Sequence, residues 1–254
     1  MSFEGQSAIV TGGAGGLGSA TVKHLAGLGM HVVIFDQAGE RGTKLAEEVK
    51  GTAVGGDVTN DDDVQAAVDA ATSAGTLSLV VNVAGGATGG GRTVGRDGTP
   101  HNKEVFVSTL AMNAVGTFNV TRLAAVAMSK NEPNEDGQRG VVVNTASIAG
   151  IEGQAGQLAY AAAKGAILGM TLPLARDLAA IGIRVCCIAP GTMGTPIMMS
   201  VGEEMRAHLT SSIVFPKRMG KPDEFGLLVE SIYRNGYLNG ENIRLDGALR
   251  FPPK

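Results

Sequence analysis

Tyr160 and Lys164 stand four residues apart in a chain that holds only 3 Tyr. On a helix that spacing places both side chains on one face. A phenol with its ordinary pKa of about 10 is a poor base at neutral pH. A nearby ammonium favours the phenolate, so the pair reads as a proton-transfer couple in which Lys164 lowers the Tyr160 pKa. Lys164 can also hold ribose hydroxyls. Ser147 lies upstream in Asn144-Thr145-Ala146-Ser147, where it can hydrogen-bond a substrate oxygen and steady the charge that develops there. Asn113 can anchor a water between Lys164 and solvent. The chemistry implied is proton transfer by Tyr160 coupled to hydride transfer at C4 of a nicotinamide.

A second constellation supplies the nicotinamide carrier. Thr11-Gly12-Gly13-Ala14-Gly15-Gly16-Leu17-Gly18 follows an apolar strand pattern and opens a helical one. Gly12 permits the turn, Gly16 lets backbone approach a pyrophosphate, and Gly18 lets the helix pack close. The helix N-terminus favours the phosphates. No Gly-Lys-Ser or Gly-Lys-Thr follows, which disfavours a triphosphatase loop. Asp36 ends the next strand, where an acid accepts adenosine ribose hydroxyls and repels a 2′-phosphate. The sequence therefore predicts NAD over NADP. Asp57 ends a third strand and reads as either an adenine contact or a helix cap. Asn82, Val83, Ala84 and Gly85 end a fourth, leaving room for ribose and nicotinamide.

The elements that position these residues alternate. Strands are expected at Ser7–Thr11, His31–Phe35, Thr52–Gly56 and Leu79–Val83. Helices lie between them at Leu17–Leu28, Arg41–Lys50 and after Asp61. Strands follow at Gly140–Asn144, Arg184–Ile188 and Glu241–Leu245. A helix runs from near Glu104 past Asn113 to about Lys130, another over Gln157–Ala180 with Pro173 interrupting its pattern, and a last over Pro222–Asn235. Val- and Ile-rich strands with little polar alternation are those of a buried parallel sheet. The expectation is an α/β, doubly wound Rossmann fold with a mainly parallel seven-stranded sheet, one domain over residues 1–254. The stretch 86–103 reads as an exposed insertion loop. The Met-rich stretch 192–213 reads as a lid over the substrate pocket.

Composition narrows the partners. Lys plus Arg total 21 against 24 Asp plus Glu, a net charge of -3, so nucleic acid is not the expected partner. No uninterrupted apolar stretch has the length of a membrane span. Cys186 and Cys187 are neighbours in a strand and face opposite ways, which suits free thiols in a reducing compartment. Met1–Thr11 reads as a first strand rather than a leader, so the cytoplasm is the expected location. His24, His31, His101 and His208 are scattered, and no metal site is expected.

Taken together, Thr11-Gly12-x-x-x-Gly16-x-Gly18, Asp57, Asn82-x-Ala84-Gly85, Asn113, Ser147, Tyr160, Lys164 and Pro190-Gly191 resemble the short-chain dehydrogenase/reductase family over nearly the whole chain. Val83 stands where that family usually has a second Asn. Strings such as Gly153-Gln154-x-Gly156-Gln157 and Arg244-Leu245-Asp246-Gly247-Ala248 are closer still to its 3-hydroxyacyl-CoA dehydrogenase branch, which also takes steroids. The resemblance implies NAD contacts at Gly15, Leu17, Asp36, Asp57, Val58, Val83, Tyr160, Lys164, Met193 and Thr195. It implies substrate contact at Ser147 and at Gln157, which helps to orient the carbonyl. It also implies oxidation of (S)-3-hydroxyacyl-CoA to 3-oxoacyl-CoA by a homotetramer. Arg92, Arg96 and Lys103 of the insertion are then positioned to attract CoA phosphates. Other readings are a hydroxysteroid or secondary-alcohol dehydrogenase and, from a different class, a structural or interaction subunit of an assembly.

Overall fold

The computed structural model describes residues 3–37 and 39–253. Met1 and Ser2, where the reading of the start as strand rather than leader begins, lie outside the described residues, as do Ala38 and Lys254. Seven strands form one sheet: β1 (Gln6–Thr11), β2 (His31–Asp36), β3 (Thr52–Gly55), β4 (Thr76–Asn82), β5 (Gly140–Thr145), β6 (Ile183–Pro190) and β7 (Asn242–Leu245). Their order is β3-β2-β1-β4-β5-β6-β7. Every pairing is parallel. β5 and β6 are buried along their whole length, which is why their sequences show no polar alternation.

Helices cover both faces. Helices α1 (Gly16–Gly27), α2 (Glu40–Val49) and α9 (Pro222–Arg234) send Val22, Leu25, Leu45, Phe225 and Val229 onto one face. On the other, α3 (Asp61–Ala74), α5 (Gly116–Met128) and α6 (Leu158–Ala179) supply Val64, Val68, Ala124 and Ala175. Cys186 and Cys187 are free and belong to cores on opposite faces, as alternation in a strand requires. The α3 start is set by Asn60, whose side chain accepts from the Asp62 and Asp63 amides at 2.9 and 3.1 Å.

Two expectations about helices change. The rod expected from Glu104 to Lys130 is α4 (Lys103–Leu110), a single π turn (Ala111–Val115) and α5. The apolar pattern runs straight through the π turn and gives no sign of it. Helix α6 passes through Pro173 unbroken. Pro173 and Gly169, whose carbonyl loses its partner, are both exposed, so water can satisfy that carbonyl. By length and composition α6 is apolar enough to cross a membrane. In the fold it lies along β6, and its charge-free run is bounded by Lys164 and Arg176.

Chain order reverses between β1 and β4, so the crevice at the carboxyl ends of these strands is where such a sheet takes a ligand. The stretch expected to form the lid holds α7 (Pro196–Met199), whose first residue lies against Gly16, and α8 (Glu203–Ser211).

Candidate active site

The glycine turn is built for close approach. Gly12 has φ +61°, and a Cβ there would sit 2.9 Å from the Ala84 backbone. A Cβ on Gly18 would sit 2.1 Å from the Gly12 carbonyl oxygen, so bare Cα atoms let α1 start directly on the turn. Thr11 fixes the other side, its hydroxyl accepting from the Val83 and Ala84 amides, each at 3.0 Å. That bond ties the end of β1 to the end of β4 across the crevice. The N-terminus of α1 has no side-chain cap and no acidic residue in its first turn, which leaves its amides and dipole to an anion. Gly16 faces the lid: a Cβ there would lie 2.6 Å from Thr195 Cβ, so the position expected to meet a pyrophosphate also receives Thr195. Leu17 packs partly into the core beside it, and Gly15 is the residue from which the helix departs.

Asp36 closes the turn from β2. Its Oδ2 accepts from the Ala14 amide at 2.9 Å and its Oδ1 from the Gln37 amide at 2.8 Å. The carboxylate is thereby oriented at the glycine turn with lone pairs left to accept hydroxyls. Asp57 Oδ1 accepts from the Thr59 amide and hydroxyl, both at 2.8 Å, an Asx turn just ahead of the α3 cap at Asn60. The Val58 carbonyl accepts from Asn119 Nδ2 at 3.0 Å.

Ser147, Tyr160 and Lys164 come together where β5 meets α6. Ser147 follows β5 and accepts from the Ala149 amide at 3.1 Å. Its hydroxyl lies beside the Tyr160 phenol and acts on the pKa of that group. Lys164 is only 3% exposed, donates to the Thr145 carbonyl at 2.9 Å, and lies 5.7 Å from the Tyr160 ring centroid. Burial pushes the Lys164 ammonium down to about 8. The Tyr160 phenol moves the other way from the sequence expectation. Burial raises its pKa, and the Ser147 hydroxyl offsets this only in part. The reason is geometric, since the ammonium points to Thr145 and not to the phenol oxygen.

Asn113 sits in the π turn and is fully buried. Its Oδ1 accepts from the Gly86 amide at 3.0 Å, and its Nδ2 donates to the Gly86 and Thr109 carbonyls at 2.8 Å each. The Asn113 side chain thus clamps the end of the β4 loop. A Cβ on Gly85 would meet Asn113 Oδ1 at 2.3 Å and Lys164 Nζ at 3.2 Å, so this clamp stands directly beside Lys164. Asn82 points inward, donating to Thr121 Oγ1 at 3.1 Å and Asn144 Oδ1 at 2.9 Å. Val83, Ala84 and Gly85 form the crevice edge with their backbone.

Pro190 ends β6, and Gly191 packs on Asp246, where a Cβ would lie 2.7 Å from the Asp246 Cβ. Met193, near the start of the lid stretch, is buried against Gly220. Gln157 precedes α6; its Nε2 donates to Gln154 Oε1 at 3.4 Å, and its own Oε1 is buried without a partner. The insertion is more ordered than its composition suggests. Val94 bridges Pro100, His101 N donates to Thr93 O at 3.0 Å, and Gly91 N docks on Gly156 O at 2.9 Å. Arg92, Arg96 and Lys103 are exposed on it.

Sequence reasoning passed over Thr11 and Thr145 as positioning residues. Thr11 adjoined the glycine motif and was readable there. Thr145 acts through its backbone, which no residue type reveals. An open parallel sheet with an uncapped glycine turn at its switch point and a Ser–Tyr–Lys group one strand away defines an oxidoreductase that uses a nicotinamide dinucleotide.

Known proteins agree. The family described as short chain dehydrogenase matches residues 6–206. A 3-hydroxyacyl-CoA dehydrogenase type-2 from Drosophila melanogaster is 50% identical over 96% of this chain and 97% of its own length. The protein of the same name from Homo sapiens is 48% identical over 99% of this chain and 98% of its own. The crystal structure of 3-hydroxyacyl-CoA dehydrogenase type-2 from Mycobacterium avium superposes with a TM-score of 0.97 at 52% identity, covering 99% and 98% of the two chains. This chain belongs to the short-chain dehydrogenase family.

Proposed function

We propose that the protein is an NAD-dependent dehydrogenase that interconverts (S)-3-hydroxyacyl-CoA and 3-oxoacyl-CoA. The carrying observation is the Ser147–Tyr160–Lys164 group beside a glycine turn that Asp36 closes. The names of the close relatives support the substrate. When bound, NAD supplies the hydride acceptor. Ser147 holds the substrate oxygen, Tyr160 takes the hydroxyl proton, and Lys164 fixes the ribose side of the crevice. Gln157 Oε1 accepts from a donor on the substrate side.

NAD is favoured over NADP because the Asp36 carboxylate faces a 2′-phosphate with like charge. The exposed cations of the insertion suit the CoA phosphates. The exposed apolar side chains of Phe118, Val126, Leu158 and Leu172 on α5 and α6 support assembly through those helices into a homotetramer. The free buried thiols suit the cytoplasm. A broader secondary-alcohol or steroid specificity is the second reading, favoured by the exposed apolar Ile197, Met199 and Met205 of the lid.

The test is NADH oxidation with acetoacetyl-CoA beside a steroid ketone panel, repeated with NADPH. Faster turnover of acetoacetyl-CoA with NADH supports the proposal, and faster steroid turnover replaces the substrate. Neutralising Arg92, Arg96 and Lys103 together with no change in KM for the acyl-CoA removes the phosphate role.

A further inference from the structure

Between Ser147 and the start of α6 at Leu158 the chain carries no regular structure beyond one 3-10 turn (Ile148–Gly150), yet Ser147 and Tyr160 must hold their spacing to within a fraction of an ångström for catalysis. What holds it is remote in sequence. Arg244 in β7 grips the Glu152 carboxylate with Nη1 at 2.9 Å and Nη2 at 3.3 Å, and its Nε reaches Asp246 Oδ2 at 2.7 Å. Glu152 Oε2 also accepts from the Phe251 amide at 3.0 Å, and Arg250 adds an outer contact at 3.4 Å. The Ala155 amide then donates to the Pro253 carbonyl at 3.0 Å.

The same segment, residues 246–253, reaches the other walls of the crevice. Leu249 packs with Ile148, directly after Ser147, and with Ile213 at the end of the lid. The Val214 and Phe215 amides donate to the Gly247 carbonyl at 3.1 and 3.2 Å. Asp246 backs Gly191. The Asp246 side chain is 7% exposed and that of Glu152 23%, so the charges pair at a half-buried site. Burial alone would raise the Glu152 pKa, yet the hydrogen bonds and charge of Arg244 and its neighbours hold it below the usual range. The pair is ionised at neutral pH.

The geometry points to Glu152 as a positioning residue: paired with Arg244, it locks residues 246–253 against the Ser147–Tyr160 loop, fixing Ser147 for the reaction and coupling it to the lid. A role confined to stability would leave the rate per folded molecule unchanged. A positioning role moves kcat, while the glycine turn, which neither Glu152 nor Arg244 bonds, keeps its hold on the dinucleotide.

The test uses Glu152→Gln, Arg244→Met and the double variant. The kinetic arm rests on the dehydrogenase reading, and the exchange arm does not. With acetoacetyl-CoA and NADH, kcat falls about tenfold or more in each single variant. The double variant is no slower than the slower single, as for residues that act as one unit. The NADH Kd from fluorescence stays unchanged. Hydrogen exchange at the Ala155 and Phe251 amides speeds up, while amides of β1 and β4 keep their protection. Arg250→Ala, at the exposed rim, shows the same pattern more weakly and covers the case in which Glu152→Gln does not fold. Unchanged kcat with a lowered Tm, or additive effects in the double variant, overturns the proposal. If the wild type turns over no acyl-CoA, the substrate reading has failed, and the exchange result alone decides: unchanged loop protection overturns the inference.

Discussion

Two buried cations occupy opposite ends of the sheet. Arg184 opens β6 at the amino end and is 5% exposed, while Lys164 lies at the carboxyl end and is 3% exposed. Arg184 donates to Gln138 Oε1 at 2.9 Å and to the carbonyls of Leu238, Ile232 and Tyr233 at 2.6, 3.0 and 3.0 Å. It stitches the last turn of α9 to the sheet. Lys164 donates to one carbonyl, that of Thr145. Among the described residues, the buried side-chain atoms without a partner are Asn82 Oδ1, Asn144 Nδ2, Thr145 Oγ1 and Gln157 Oε1. These belong to the carboxyl ends of β4 and β5 and to the start of α6. Equal burial thus serves different purposes. A polar group whose bonds are complete anchors the fold, and one left incomplete keeps its chemistry for a ligand.

The sharpest way to break that contrast is to remove each cation. Lys164→Met lowers kcat about a thousandfold, within the range for loss of acid–base function, and leaves the protein folded by circular dichroism. Arg184→Met does the reverse. It strands several carbonyls at a cost of about 3 kcal/mol, which lowers Tm by about 8 °C in scanning calorimetry. Its kcat per folded molecule is unchanged. A Lys164 variant that loses stability but keeps its rate, or an Arg184 variant that does the opposite, would invert the comparison.

Asp36→Ala tests the cofactor side of the same end. It raises the KM for NAD about thirtyfold, through loss of charge-assisted hydrogen bonds to the ribose, and narrows the preference over NADP. Equal use of both cofactors by the wild type would contradict the reading of Asp36.

The smallest effect concerns pH. Lys164 titrates near 8 in the folded chain, below its unfolded value, so the unfolded state binds more protons between those two pKa values. Stability from this group therefore rises with pH across that window. Comparing wild type with Lys164→Met cancels the other titrating groups. The wild type gains about 1 kcal/mol on the variant between pH 7 and pH 9, measured by urea unfolding without cofactor. A flat difference would mean that Lys164 is not buried as a charge.

Much of this was legible in the chain because its strands are runs of Val and Ile and its site motifs are local. The glycine turn, Asp36 and the Tyr160–Lys164 pair each occupy a few adjacent residues whose spacing fixes their geometry. What escaped the sequence depended on distant partners. Asn82 turns inward because Asn144 and Thr121 await it there. Asn113 clamps Gly86 because a π turn rotates it to do so. β4 begins at Thr76, earlier than its apolar run, because Gln6 and Ser7 of β1 pair with Thr76 and Leu77. The rise in the Tyr160 pKa follows from burial and from where the ammonium points, neither of which spacing encodes.

The central claim is that Tyr160 moves the proton. Its most direct test is Tyr160→Phe in the NADH-linked reduction of acetoacetyl-CoA, with NADH binding measured alongside. The account predicts a fall in kcat of about a thousandfold at pH 7 with the NADH Kd retained within a few fold. A Tyr160→Phe variant that turns over within a few fold of the wild type would contradict it.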